Sequence, residues 1–403
     1  MLLCRSLLRK RRDSGSTACR KGQDSDGLLT RVEVGLRGGE PSPIEVDEML
    51  GWPPREALAR LVSALDQRHG SGTVPSLLGT VQEAAQRVPT WGAGVLVIVV
   101  EQTPPLPSIA EALLWGLREA DSTLEDRLAV LRWAAASEWP NKVAHALGQL
   151  IEHWARDLKR GDSVALLDAL NNAADRLFAR AGTEDSGLVG EHGWTELAIN
   201  HPAGNAASVW WRVADARDWE GDHFVLSVDE AERARWELVL RDETASGAHA
   251  RVILGMASDR LSASDYPWAE RTLFPAFDPE AGAARAAQLW DGRLMQTTWS
   301  WTTVRGLRPF VTRFFETSAS LVPARSRQLG GWVALLVTHP TESLFELRDL
   351  HTFIRYARAE ARQEFAEALP DQLDKLEADL RRRLWEDVLR PIGAIGARTS
   401  RWL

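Results

Sequence analysis

From Pro53 onward the apolar residues return every three or four positions and seldom alternate, so the chain predicts helices over most of its length. Leu58, Leu61, Val62 and Leu65 mark one face of an early helix. Ser108 with Glu111, and Ser122 with Glu125, have the spacing of reciprocal caps at helix starts. A helix over about Asn141–Asp157 turns Val143, Leu147, Leu150 and Trp154 inward, and one over Ser163–Arg180 turns Leu167, Leu170, Ala174 and Leu177 inward. Short loops between such helices predict antiparallel hairpins stacked in series.

Three Trp-Pro or His-Pro pairs, Trp139-Pro140, His201-Pro202 and His339-Pro340, put proline at a helix start, where its missing N–H does no harm. Their unequal spacing makes any repeat degenerate. The expected fold is therefore all-α: stacked helical hairpins in an irregular HEAT-like solenoid or bundle array. Two stretches resist this pattern. Val95–Val100, VLVIVV, is rich in β-branched residues and reads as a buried strand or as a core helix segment. Residues 262–282 hold three prolines and several aromatics, which predicts a packed, ordered connection. The glycine-rich stretch 181–193 is the expected linker. The chain divides accordingly into a disordered basic leader (1–27), an N-terminal helical region (28–193) and a C-terminal helical region (194–403).

Charge narrows the function classes. The 403 residues carry a net charge of −8, but residues 1–22 hold seven basic side chains against Asp13 alone, leaving 41 basic against 55 acidic elsewhere, a balance of −14. A body that acidic is a poor surface for phosphates, which argues against bulk nucleic acid and anionic membranes as partners. Both cysteines, Cys4 and Cys19, fall in the leader, so neither a disulfide framework nor a zinc site can be built from them in the body. No apolar run approaches a membrane span, and a cytoplasmic location is expected.

Candidate chemistry is thin. Eighteen tryptophans invite a binding surface. Trp210 shares a face with Ala203, Ala206, Ala207, Val213 and Ala214, which predicts inter-helix core, while Trp211 lies about a hundred degrees round the helix. The alternative is a recognition surface of Trp211, Trp219 and Trp236. His201, after Asn200 as a plausible N-cap, fits a helix start without catalysis. Asp222-His223 forms a short polar turn and joins His201 and the three tryptophans as candidate partner-binding residues, while a hydrolase alternative would need His201, Asp222 and His223 to converge. His145 and His153 are eight apart, too far for a helical two-His metal motif. No phosphate-binding loop, nucleophile elbow or His-Glu-x-x-His is present, so no catalytic, cofactor or metal residue is assigned. The segment 369–391, with Leu373, Leu376, Leu380, Leu384 and Val388 near heptad spacing, reads as a terminal capping helix or as a partner-binding or coiled-coil one.

The ordered series His201-Pro202-Ala203-Gly204, Trp210-Trp211, Arg251-Val252-Ile253-Leu254, Asp265-Tyr266-Pro267-Trp268, Leu273-Phe274-Pro275-Ala276-Phe277-Asp278 and AQLWDGRL (287–294) resembles a bacterial domain of unknown function that follows a sirtuin-like NAD-consuming domain in phage-defence proteins. Nothing in this chain resembles the sirtuin's glycine-rich loop or its histidine. The resemblance implies the helical recognition or assembly part standing alone, without cofactor. It implies a protein partner, such as a sirtuin-like NAD-consuming effector or a phage protein, and leaves an oligomer open. A peptide- or protein-binding adaptor outside defence is the competing binding class.

Overall fold

The computed structural model of the chain describes residues 42–66, 73–99, 106–159, 161–181, 193–220, 223–224, 228–338 and 347–373, with a few positions beyond. Its first half runs through α1 (Val46–Leu50), α2 (Pro54–Asp66), α3 (Thr73–Arg87), α4 (Pro89–Val99), α5 (Pro107–Arg118), α6 (Leu124–Ala136), α7 (Ala144–Arg156) and α8 (Val164–Arg180). The second half adds α9 (Gly193–Ala198), α10 (Pro202–Arg217), α11 (Glu230–Arg241), α12 (Ala245–Ser264), α13 (Ala283–Leu294), α14 (Trp301–Leu321), α15 (Ser326–Val337), α16 (Leu347–Tyr356) and α17 (Ala359–Leu373). The fold is all-α. Among the described residues, the exception is a two-residue antiparallel pairing of Trp219–Glu220 with His223–Phe224.

From α1 to α8 every helix packs on the one two further along the chain: α1 on α3, α2 on α4, α3 on α5, and so on to α6 on α8. That is the contact pattern of hairpins stacked in series, since each new hairpin covers the apolar face left open by the last. The helices on either side of residue 193 meet directly, because α7 and α8 both pack on α10, which passes the stack on to α12. Beyond it, α12 packs on α13, α14 on α16 and α15 on α17.

Local chemistry sets the helix starts, with two shifts from the sequence expectation. The cap of α6 is Thr123, whose side chain accepts from Asp126 N while Asp126 accepts from Thr123 N, one residue along from the Ser122/Glu125 pair. The Ser108/Glu111 box does not form, because Pro107 takes the first helical position and leaves Leu106 as the cap. Ser163, the first residue of the expected helix, caps α8. Val95–Val99 belongs to α4 and is helical: packed among α2, α3, α5 and α6, it buries Val95, Leu96 and Val99, and no strand lies beside it among the described residues. Tertiary burial overrides β-propensity here.

The connection between α12 and α13 is ordered throughout, as a helical turn (Tyr266–Trp268), a π-helical segment (Ala269–Leu273) and a 3-10 turn (Phe274–Phe277). The leader, most of the 181–193 stretch, His339-Pro340 and nearly all of the chain after Leu373 lie outside the described residues.

The tightest joint is the crossing of α12 and α13. A β-carbon on Gly255 would sit 2.2 Å from Leu289 O, and one on Gly292 would sit 1.9 Å from Val252 O. Each helix thus places a glycine under the other's backbone. Beside this crossing, Trp290 stacks on Phe314 at 3.9 Å, with Phe277 against its edge at 5.2 Å. Aromatic contacts continue from Phe315 to Phe353 and from Phe353 to Phe365, carrying one seam from α13 through α14 and α16 to α17.

Candidate functional site

The sequence-derived candidates lie along α10 and just beyond it. His201 is the N-cap of α10: its Nδ1 accepts from Ala203 N at 3.1 Å. Asn200, the residue expected to cap, instead donates its side-chain amide back to Glu196 O, because Pro202 at the first helical position makes residue 201 the cap. His223 stands past the far end of the same helix, in the short pairing that follows Trp219. Sixteen residues of helix separate the two, about 24 Å at 1.5 Å per residue. The groups the hydrolase alternative needs together are therefore not brought together, and Asp222 itself lies outside the described residues.

The tryptophans divide by depth. Trp210 is 3% exposed and packs on Phe178, with Trp236 edge-on at 5.9 Å. Trp211, off that face, is half-buried at the margin of the core. Trp236 has no exposed surface at all and donates its indole N–H to Glu232 at 3.4 Å. That corrects the three-tryptophan recognition surface, since Trp236 faces inward across α10. The side chain of Trp219 lies outside the described residues.

Around His201 the structure assembles groups that the sequence did not single out. Its ring stacks on His249 of α12, with centroids 4.1 Å apart and planes 22° from parallel. Trp194 of α9 meets the other imidazole at 6.1 Å, and His145 of α7 donates Nδ1–H to Asn200 O at 3.0 Å. His249 has no exposed surface, and among the described residues neither ring nitrogen has a hydrogen-bond partner. Burial therefore pushes its imidazole down to about 3, with the neighbouring His201 adding to the effect. Burial likewise holds His201 down to about 4, and His145 lowers it further. Both rings are neutral packing units at ordinary pH. His153 turns to Asp157 at 3.8 Å, and no set of three His, Cys, Asp or Glu among the described residues converges as a metal-ligand group.

Charged side chains in this half tie helices together. Arg260 of α12 reaches Asp215 and Asp218 at the end of α10, each at 3.0 Å, and Glu232 of α11 at 2.5 Å. Burial pushes the Asp215 and Glu232 carboxyls up against the lowering influence of Arg260. Arg251 crosses from α12 to accept nothing and donate three ways, to Gln288 Oε1, to Val239 O and to Asp242 O. It closes the carbonyl end of α11, where a cation is favoured. Asp291 Oδ1 of α13 accepts from the backbone and hydroxyl of Thr195 at 2.9 and 2.5 Å, and Arg325 bridges Asp291 to Glu196.

No family model matches the chain, and no curated protein or solved structure matches it. Residues 200–294 carry the ordered series of motifs named in the sequence. Within that stretch, His249, Arg260 and Asp291 are the groups that sequence reasoning passed over. His249 lies in a run of small residues, ASGAHARV, that gives no hint of an aromatic neighbour. Asp291 sits inside AQLWDGRL as one more polar helix position.

Proposed function

We propose that the chain is a non-catalytic recognition or assembly module that works by binding a protein partner, and, on the resemblance of residues 200–294, that its setting is bacterial defence against phage. One observation carries the non-catalytic part: the chemistry-bearing residues of the resembling series are engaged in closing joints between helices. His201 and Pro202 start α10, Trp210 fills its core face, Arg251 closes α11, Trp290 joins α13 to α14 through Phe314, and Gly292 forms the α12–α13 crossing. Side chains held this way fix a shape. A fixed series of stacked helices presents long surfaces, the usual use of such arrays. The partner this reading favours is a sirtuin-like NAD-consuming effector, with a phage protein as the second choice.

The test has two arms. Purified chain incubated with NAD should release no nicotinamide, and release that a point substitution in this chain abolishes would overturn the reading. Mixed with a sirtuin-like NAD-consuming protein, the chain should co-elute on size-exclusion chromatography. An adaptor outside defence would instead leave that protein's elution unchanged.

A further inference from the structure

A cavity of about 280 Å³ opens where the start of α9, one face of α13 and the end of α14 come together. Gly193, Trp194, Ala284, Ala287, Asp291 and Leu321 line it. The wall is mostly apolar, with Asp291 and the hydroxyl of the exposed Ser320 as its polar side chains beside the Trp194 indole, and the carboxylate is used unevenly. Asp291 is 1% exposed, and every contact to its side chain falls on Oδ1: the Thr195 N–H, the Thr195 hydroxyl and Arg325 Nε. Among the described residues Oδ2 receives no hydrogen bond. It lies beside the cavity wall, since a β-carbon on Gly193 would come within 3.0 Å of it. Gly193 adopts φ +76°, a left-handed conformation that glycine takes without strain, and the missing side chain keeps this oxygen uncovered.

The charge of the group sets what it can accept. Asp291 shares its one cation, Arg325, with Glu196 at 2.7 Å, so the three side chains sum to one negative charge. A carboxylate oxygen that no protein donor reaches is best satisfied by a charged N–H donor. The indole of Trp194 adds an aromatic surface of the kind that attracts cations. Ala284, Ala287 and Leu321 supply contact for hydrocarbon. An anion would meet two carboxylates, Asp291 and Glu196, and among the described residues no three His, Cys, Asp or Glu side chains converge here as metal ligands.

We propose that this cavity binds a small organic ammonium ion, its N–H donating to Asp291 Oδ2 beside Trp194 and its apolar stem lying on Ala284, Ala287 and Leu321. This goes beyond the assembly reading, and neither depends on the other.

Isothermal titration calorimetry of the whole chain near neutral pH tests it, using n-butylammonium and the uncharged n-butanol of the same length. The ammonium should bind one per chain and at least about tenfold more tightly than the alcohol, the effect of one charge-assisted hydrogen bond. Ala284→Trp places a large ring at an exposed position of the wall, where folding tolerates it, and should abolish binding while leaving the circular dichroism unchanged. Asp291→Asn keeps the shape and removes the charge, and should lose the preference for ammonium over alcohol. Should that variant fail to fold, Ala284→Trp decides alone. Absence of n-butylammonium binding, equal binding of the two probes, or binding that survives Ala284→Trp would each overturn the proposal.

Discussion

At the scale of single residues, neighbours in sequence lead different lives. Trp210 fills the space between α8, α10 and α11, whereas Trp211 rests half-exposed at the edge. Trp210→Ala should cost about 3–5 kcal/mol, the usual effect of emptying a large buried aromatic site, and Trp211→Ala distinctly less. Urea denaturation of the two variants checks this, and a reversed order would mean that the buried face of α10 is wrongly assigned. Glycines offer a second contrast. Gly292→Ala drives a methyl into the backbone of α12 and should destabilise by about 1–3 kcal/mol or more. Gly79→Ala, inside α3 with nothing within 4 Å, should be neutral or stabilising by up to about 1 kcal/mol. Equal melting temperatures for the two variants would remove the close-approach argument.

At the scale of elements, the contact between the start of α10 and the middle of α12 is an imidazole pair kept neutral. In the folded chain His201 takes its proton only near 4 and His249 only near 3, against 6.5 for an unperturbed histidine. Below pH 6.5 the unfolded chain therefore binds protons that the folded chain excludes. Stability from this pair is full above that value and is lost as pH falls from 6.5 toward 4 and 3. For His249 the loss approaches about 1.4 kcal/mol per pH unit. The stability difference between wild type and His249→Phe should accordingly shift in favour of the variant on going from pH 7 to pH 5. A difference independent of pH would show that the ring is protonated or hydrated in the native chain.

At the scale of the whole molecule, each helix from α1 to α8 leans mainly on its near neighbours in sequence. Arrays of that kind lose cooperativity along their length, because no single core binds the two ends. Calorimetric unfolding should give an enthalpy larger than the van't Hoff value, with the α1–α6 end and the aromatic-rich α12–α17 end separable by hydrogen exchange. One sharp transition with matching enthalpies would instead mean that the α10–α12 joint couples both halves.

The sequence by itself determined the helical class, the inward faces of α7 and α8, the start of α8 at Ser163, the core role of Trp210 and the ordered turn between α12 and α13. Each follows from periodicity or from a residue's own backbone preference, and both act over one or two turns. Only the tertiary structure decided that Val95–Val99 is helix, because its neighbours bury it on several sides. It also decided that Trp236 is core, that His201 meets His249, and that Asp291 leaves one oxygen facing a cavity. These pairings join residues 48 and 96 positions apart, such as His201 with His249 and Thr195 with Asp291. A spacing that long carries no local signal: which side chains meet is set by how the helices cross, and the crossing is fixed by packing and by glycines such as Gly292, whose role appears only when the opposing backbone is in place.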